Sequence, residues 1–263
     1  MTHPAPQPPN IFSLSNRPPW AIASLEFQYH PTPLAIGRVR ADNHRLFALL
    51  DQEPSPARRG EIFHEYLTVQ FALHQWQEFR AASRSSLRNS YIRYLRGWEV
   101  DSNSPEGAVL KSWVQSRLGL APTFHHVPLD SEEAWSRLAL DRVQGSARTN
   151  AINLQLDLLF EFCQYEIARR RPDTRWITLY RGTHDAQAYD RPGSAPDVVR
   201  LNNLSSFTSD RECAWEFGST VWEVRVPRSK VFFFSGLLPD SLLRGESEYL
   251  VIGGEYRVKK LLF

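Results

Sequence analysis

The sequence predicts an α+β protein, a helical first half followed by a mainly β second half. Two observations predict it. Up to about residue 170, apolar residues recur at spacings of three and four, the period of helices buried on one face. From Trp176 onward, short runs rich in Val, Ile, Phe and Tyr alternate with turn-forming residues, the pattern of strands. No internal repeat is evident.

Residues 1–19 hold six prolines, at 4, 6, 8, 9, 18 and 19, and read as an irregular arm. Trp20–Phe27 has the composition of a short strand, and the arm with its short strands extends over residues 1–58. A helical region is expected over 59–172. Its first helix, 59–80, carries an apolar stripe of Ile62, Tyr66, Val69, Leu73 and Trp76. The second, 85–98, turns Leu87, Tyr91, Leu95 and Trp98 inward. Its polar positions include Arg84, Arg88, Arg93 and Arg96, which form either a solvated face or a docking surface for an acidic partner. A third spans 105–118, with Pro105 near its first position and Gly119 at its end. A fourth, 131–143, begins Ser-Glu-Glu. The segment 149–170 has two stripes: Ile152, Leu156, Leu159, Cys163 and Ile167 on one, and Leu154, Leu158, Phe162 and Tyr165 on the other. A helix apolar on two faces belongs between layers.

A β-rich region is expected over 173–263. Strands are predicted at 176–180, 198–207, 221–226, 231–234, 248–252 and 255–262. Gly253-Gly254 is read as a tight hairpin joining the last two, and Asp210 as the cap of a short helix ending near Phe217.

At 263 residues, 42% hydrophobic and with a net charge of +2, the chain can bury a sizeable core. Its basic side chains are spread out, which does not indicate nucleic acid. Two cysteines, Cys163 and Cys213, argue against a disulfide framework and for a reducing cytoplasm. Residues 1–9 show no signal pattern, and no apolar run approaches the roughly 20 residues a membrane span needs. No metal site is expected. Glu61-x-x-His64 lacks a second copy, His125-His126 are adjacent in a loop, and the cysteines have no partners at zinc spacing. Nucleotide-binding loops and the Gly-x-Ser-x-Gly elbow are absent from the sequence.

Three motifs in the β half remain. Arg181 follows an apolar strand and precedes Gly182; a permanent cationic fork there suits a phosphate, and the glycine allows close approach to the backbone. Ser206 and Thr208 alternate with Phe207, so both hydroxyls face one side of a strand while the ring packs inward. Glu246 and Glu248, in Gly245-Glu246-Ser247-Glu248-Tyr249-Leu250-Val251, would share a side at a strand mouth.

This order resembles the ADP-ribosyltransferases of the Arg–Ser–Glu class, in particular the Glu-x-Glu subgroup that modifies arginine. The matching residues are Arg181 in Leu-Tyr-Arg-Gly, the run Ser205–Ser209, the Ala-x-x-Phe at Ala214–Phe217, and Glu246-Ser247-Glu248. The family's Ser-Thr-Ser reads Ser-Phe-Thr-Ser here, which leaves open which hydroxyl supports the catalytic glutamate; Ser206 is assigned. The resemblance implies a β core of two packed sheets that binds NAD as substrate through Arg181, Gly182, Ser206, Thr208 and Glu248. It makes Glu248, Glu246 and Ser206 catalytic. Asn16–Trp20, the Phe27–Gly37 segment and the overall layout are similar to the narrower family of dinitrogenase reductase ADP-ribosyltransferases. That likeness implies the nitrogenase iron protein as target, with docking through the helical region and a PII signalling protein as a further partner. The alternatives are an arginine-specific toxin or effector with another target, or an inactive module that binds NAD or a partner.

Overall fold

The computed structural model describes residues 13–73, 90–146, 151–184, 195–239, 242 and 248–261. Nine helices precede the large sheet among these residues: α1 (Pro19–Ala23), α2 (Leu25–Tyr29), α3 (Val39–Asp42), α4 (His44–Gln52), α5 (Pro56–Gln70), α6 (Tyr91–Val100), α7 (Pro105–Leu118), α8 (Glu132–Gly145) and α9 (Ala151–Arg170). A two-stranded ribbon, β1 (Phe124–His125) with β2 (Val127–Pro128), lies between α7 and α8.

Side-chain caps set most of the starts. Ser24, Ser55, Ser90, Ser104 and Ser131 each accept a hydrogen bond from a backbone N–H in the first turn of the helix that follows. Helix α7 occupies the predicted span and stops at Gly119, whose φ of +70° suits glycine. The expected strand Trp20–Phe27 is instead α1 and α2, because Pro19 opens one helix and Ser24 caps a second. In α5 the buried side is Arg59, Gly60, Phe63 and Leu67, with Val69 74% exposed, so the inward stripe lies one position round from the predicted one. Trp76, Arg84, Leu87 and Arg88 lie outside the described residues.

Helix α9 is the spine of the helical half. Ile152, Leu156, Leu158, Leu159, Phe162, Cys163 and Ile167 are buried, whereas the ends of the second stripe are not, Leu154 being exposed and Tyr165 partly buried. It also buries three carboxylates, each with an arginine: Asp157 with Arg117, Glu161 with Arg40, and Glu166 with Arg59. Arg59 grips Glu166 with two hydrogen bonds, of 2.5 and 3.0 Å, both partners being fully buried. A buried charge left without its partner costs several kcal/mol, so these pairs fix where α5 and α7 sit on α9.

The large sheet contains β3 (Trp176–Thr183), β4 (Val198–Thr208), β5 (Thr220–Pro227), β6 (Val231–Phe234), β7 (Glu248–Arg257) and β8 (Lys259–Leu261), with the short α10 (Arg211–Glu216) between β4 and β5. All pairings are antiparallel, in the order β6-β7-β4-β3-β5-β8. The β core is thus one six-stranded sheet among the described residues, where two packed sheets were expected. It is nearly parted in the middle: β4 pairs with β7 from Val198↔Arg257 to Thr208↔Glu248 and β3 with β5 from end to end, whereas β3 meets β4 at Tyr180↔Thr208 alone.

The Gly253-Gly254 hairpin is not formed, and β7 runs through both glycines to Arg257. A Cβ at Gly253 would lie 1.7 Å from the Asn202 carbonyl oxygen, beside an irregularity in β4 between Leu201 and Leu204. Gly254 has φ +117° and touches the Ala23 backbone. The pair serves close backbone packing rather than a turn. One apolar cluster runs from Ile22 through α9 to Val258 and joins the helical half to the sheet.

Candidate active site

The parting of the sheet determines where a site can form. Where β3 and β4 pair at one position only, a cavity of about 710 Å³ opens, in the size range of small-molecule and cofactor pockets. Arg181, Gly182, Ser206, Thr208 and Glu248 line it from the sheet, Ala214 and Phe217 from the α10 side, and Trp98, Glu99 and Asp101 from the end of α6. Five of the six sequence-assigned residues therefore share one cavity. The sixth, Glu246, lies outside the described residues.

Arg181 is half-buried, and its Nη1 donates to the Ser206 carbonyl oxygen at 2.7 Å, which ties β3 to β4 beside the parting. Gly182 borders the cavity, but its lack of a side chain serves packing. A Cβ there would stand 2.0 Å from the Ala214 carbonyl oxygen and 3.0 Å from the Gly218 nitrogen, so α10 rests directly on β3. Asp210 caps α10 through the backbone N–H groups of Glu212 and Cys213.

Thr208 stands opposite Glu248 in the β4–β7 register, and Ser206 lies two residues back on the same side of β4. Phe207 between them is 3% exposed and belongs to the core, as alternation predicts. Within Ser205–Ser209, the structure distinguishes the hydroxyls. Thr208 Oγ1 accepts from the Asp210 N–H at 3.0 Å and holds the turn into α10. Ser206 lines the cavity together with Glu248, and its hydroxyl lowers the Glu248 carboxyl pKa against the rise that burial causes. The Glu248 backbone is fixed in turn, its N–H donating to Ser235 Oγ at 2.9 Å.

Burial pushes the Glu248 carboxyl above the usual carboxylate range; the Ser206 hydroxyl pulls it back, and the charge of Glu99 pushes it up again. Glu99 is itself raised by burial, against the opposing effect of Arg96. A carboxylate held in this way presents a fixed negative charge in a partly dry cleft, where it acts more strongly than in water.

Sequence reasoning missed the contribution of α6. Trp98 is placed inward by its helical spacing, which marks it only as core. In the structure its Nε1–H donates to Ser206 Oγ at 2.8 Å, across 108 positions of sequence. No local pattern reports a contact of that range. Of the arginines considered for docking, the two described ones have partners within the chain. Arg93 pairs with Glu106, and Arg96 makes two hydrogen bonds, of 2.8 and 3.1 Å, to the Leu242 carbonyl oxygen. Arg96 remains exposed, with its guanidinium on a carbonyl rather than a carboxylate.

His125, His126 and Asp141 place three ligand-type atoms within 4.8 Å of one another, a grouping that sequence spacing did not suggest. His126 has φ +60°, which lets both rings reach the same Asp141 oxygen, at 3.0 and 3.1 Å. Lys111 Nζ lies 3.2 Å from His125 Nδ1 and also meets Asn103 Oδ1 and the Phe124 carbonyl oxygen. An ammonium group in that position already supplies the local positive charge, and the cluster serves to hold β1 and β2 against α7 and α8.

The cavity brings to one place the three motifs by which the sequence resembles the Arg–Ser–Glu ADP-ribosyltransferases, an NAD-consuming class. Comparison with known proteins narrows that class. The family described as dinitrogenase reductase ADP-ribosyltransferase (DRAT) matches residues 12–260. The chain is also 42% identical, over 248 residues and 90% of each sequence, to the NAD(+)--dinitrogen-reductase ADP-D-ribosyltransferase of Rhodospirillum rubrum. It belongs to the dinitrogenase reductase ADP-ribosyltransferase family. No solved structure matches it.

Proposed function

We propose that this chain transfers ADP-ribose from NAD to an arginine of dinitrogenase reductase, inactivating that protein and so regulating nitrogen fixation. The observation that carries the reading is the convergence of Arg181, Ser206 and Glu248 on one cavity at the parting of the sheet, in a chain of this family.

The residues present fit NAD as a substrate. Arg181 offers a cationic fork for the pyrophosphate, and the cavity is bordered by both polar side chains and the ring of Phe217. The reaction breaks the bond between ribose C1′ and the nicotinamide nitrogen. The ring is cationic in NAD and leaves neutral, so no general acid is required. Positive charge builds on the ribose, and Glu248 stabilises it through its own charge and a hydrogen bond to the 2′-hydroxyl. Ser206 holds Glu248 in place. A guanidinium nitrogen then bonds to C1′ and gives up a proton. Because guanidinium stays protonated above pH 12, it is a poor nucleophile until a carboxylate orients it and accepts that proton, the task assigned to Glu246. The helical region, residues 59–172, docks the target, and the β-rich region, 173–263, binds NAD. A PII protein as regulatory partner follows from the family resemblance, and a cytoplasmic location from the two cysteines without a disulfide framework. No helix of the described residues is long and apolar enough to cross a membrane.

The direct test is nicotinamide release from NAD with and without purified dinitrogenase reductase. Release should rise strongly with the target present, together with label on the protein; release with no label on dinitrogenase reductase even when it is present overturns the transferase reading. Arg181→Ala should weaken NAD binding by roughly 1.5–3 kcal/mol, about ten- to a hundredfold in Kd, as charge-assisted contacts are lost. Calorimetry showing undiminished affinity removes Arg181 from the site. The acid limb of the pH–rate profile should lie above that of an ordinary glutamate. The raised carboxyl is ionised, and active, above its own pKa and protonates as pH falls through it.

A further inference from the structure

We propose that Trp98, from the helical half, is a positioning residue for the reaction: its indole N–H, which can only donate, fixes the Ser206 hydroxyl so that its proton points at Glu248. The inference rests on the reading of Glu248 as the catalytic carboxylate.

A serine hydroxyl has one proton and two lone pairs, and it rotates to suit its surroundings. A hydroxyl with no donor fixed on its oxygen is free to turn its proton away from a neighbouring carboxylate. The Trp98 Nε1–H, 2.8 Å from Ser206 Oγ, occupies a lone pair of that oxygen. The hydroxyl proton is thereby turned away from the indole and toward Glu248, which lines the same cavity as both residues. Chained hydrogen bonds of this kind also strengthen one another in a low-dielectric interior.

The donor is held as firmly as its acceptor. Trp98 is 3% exposed, and the Lys111 ammonium lies 5.9 Å from its ring centroid. Helix α6, which carries it, begins at the Ser90 cap and buries Tyr91, Tyr94 and Leu95 on the same side. Two hydrogen bonds from Arg96 to the Leu242 carbonyl oxygen tie the helix to the chain shortly before Glu248. The helical half therefore does more than surround the sheet: one of its side chains sets the direction of a proton at the reacting end of the cleft. The charged groups that share the cavity with Glu248 are Glu99 and Asp101 from the end of α6 and its turn, Arg181 from β3 and Glu216 from α10, with the Cys213 thiol also present. Of these, Glu99 is the one whose charge acts on Glu248. None is altered by a change confined to the indole nitrogen.

The test compares wild type with two replacements of Trp98: Trp98→Phe, and benzothienylalanine, which keeps the bicyclic shape and carries sulfur in place of N–H. Each is made alone and with Ser206→Ala, and nicotinamide release is followed against pH and NAD concentration. Loss of the N–H frees the hydroxyl, weakens its support of the ionised carboxylate and raises the Glu248 pKa. The acid limb should therefore move to higher pH. With benzothienylalanine, kcat at neutral pH should fall about tenfold and KM for NAD should change less than about threefold. In the Ser206→Ala background the same replacement should cost no more than about twofold, because the two residues act through one path. A benzothienylalanine enzyme with wild-type kcat and pH profile overturns the proposal. So does a loss that is equal with and without Ser206. If wild type and Glu248→Gln release nicotinamide at the same rate, the catalytic reading of Glu248 itself fails; a silent Trp98 replacement in an otherwise active enzyme refutes this inference alone.

Discussion

Glu248→Gln should lose both activities, transfer to protein and hydrolysis of NAD by water, by about 10²–10⁴ in rate. The substitution keeps the shape of the side chain and its place opposite Thr208, but it removes the charge that stabilises the ribose as the nicotinamide leaves. Since both reactions pass through that same bond cleavage, neither can escape. NAD binding should survive, because the phosphate contacts assigned to Arg181 are untouched. The variant should also melt higher at neutral pH. A carboxyl whose pKa is raised by folding is most compatible with the fold while protonated, below its unfolded-state pKa. Its contribution to stability then declines as pH rises toward the folded-state value. The gain in melting temperature should close at acid pH, where wild-type Glu248 is protonated as well. Near wild-type transfer by this variant contradicts the assignment, and a lower melting temperature would mean that the lost rate reflects damage to the fold.

Glu246→Gln should separate the two activities. Transfer to arginine should fall by a similar 10²–10⁴, because the target guanidinium loses its orienting group and proton acceptor. Nicotinamide release to water should remain appreciable, since water needs no such orienter. Two assays on this variant decide the matter: labelled transfer to dinitrogenase reductase, and nicotinamide release in its absence. If release falls as far as it does in Glu248→Gln, the division of labour between the two carboxylates is wrong.

The legible parts of this molecule were those governed by short-range chemistry. Ser104, Pro105 and Gly119 bound α7 as read, because a cap, a fixed φ and a left-handed residue act within a turn. The strand Val231–Phe234 and the inward Phe207 follow from strand alternation and apolar content in the same way. Arg181, Ser206 and Glu248 were found through the order of three motifs, and the cavity joins all three. What escaped depends on partners far along the chain. Gly253-Gly254 has the composition of a hairpin, but its space is claimed by Asn202 and Ala23. Gly182 borders the cavity as read, but its second task, admitting α10 against β3, had no local sign. Arg93 had the spacing of a solvated face, yet Glu106 holds it. Trp98 and Glu99 gave no local sign of belonging to the site, because the strands that form the rest of the cavity come about a hundred residues later.

The most direct test of the central claim is to incubate the protein with labelled NAD and purified dinitrogenase reductase, then locate the label by mass spectrometry of the digested target. The account predicts one ADP-ribose on one arginine of dinitrogenase reductase, with loss of that protein's activity in step with labelling and no label when Glu248→Gln replaces the wild type. Label on another residue type, or NAD consumed with dinitrogenase reductase left unmodified and active, would contradict it.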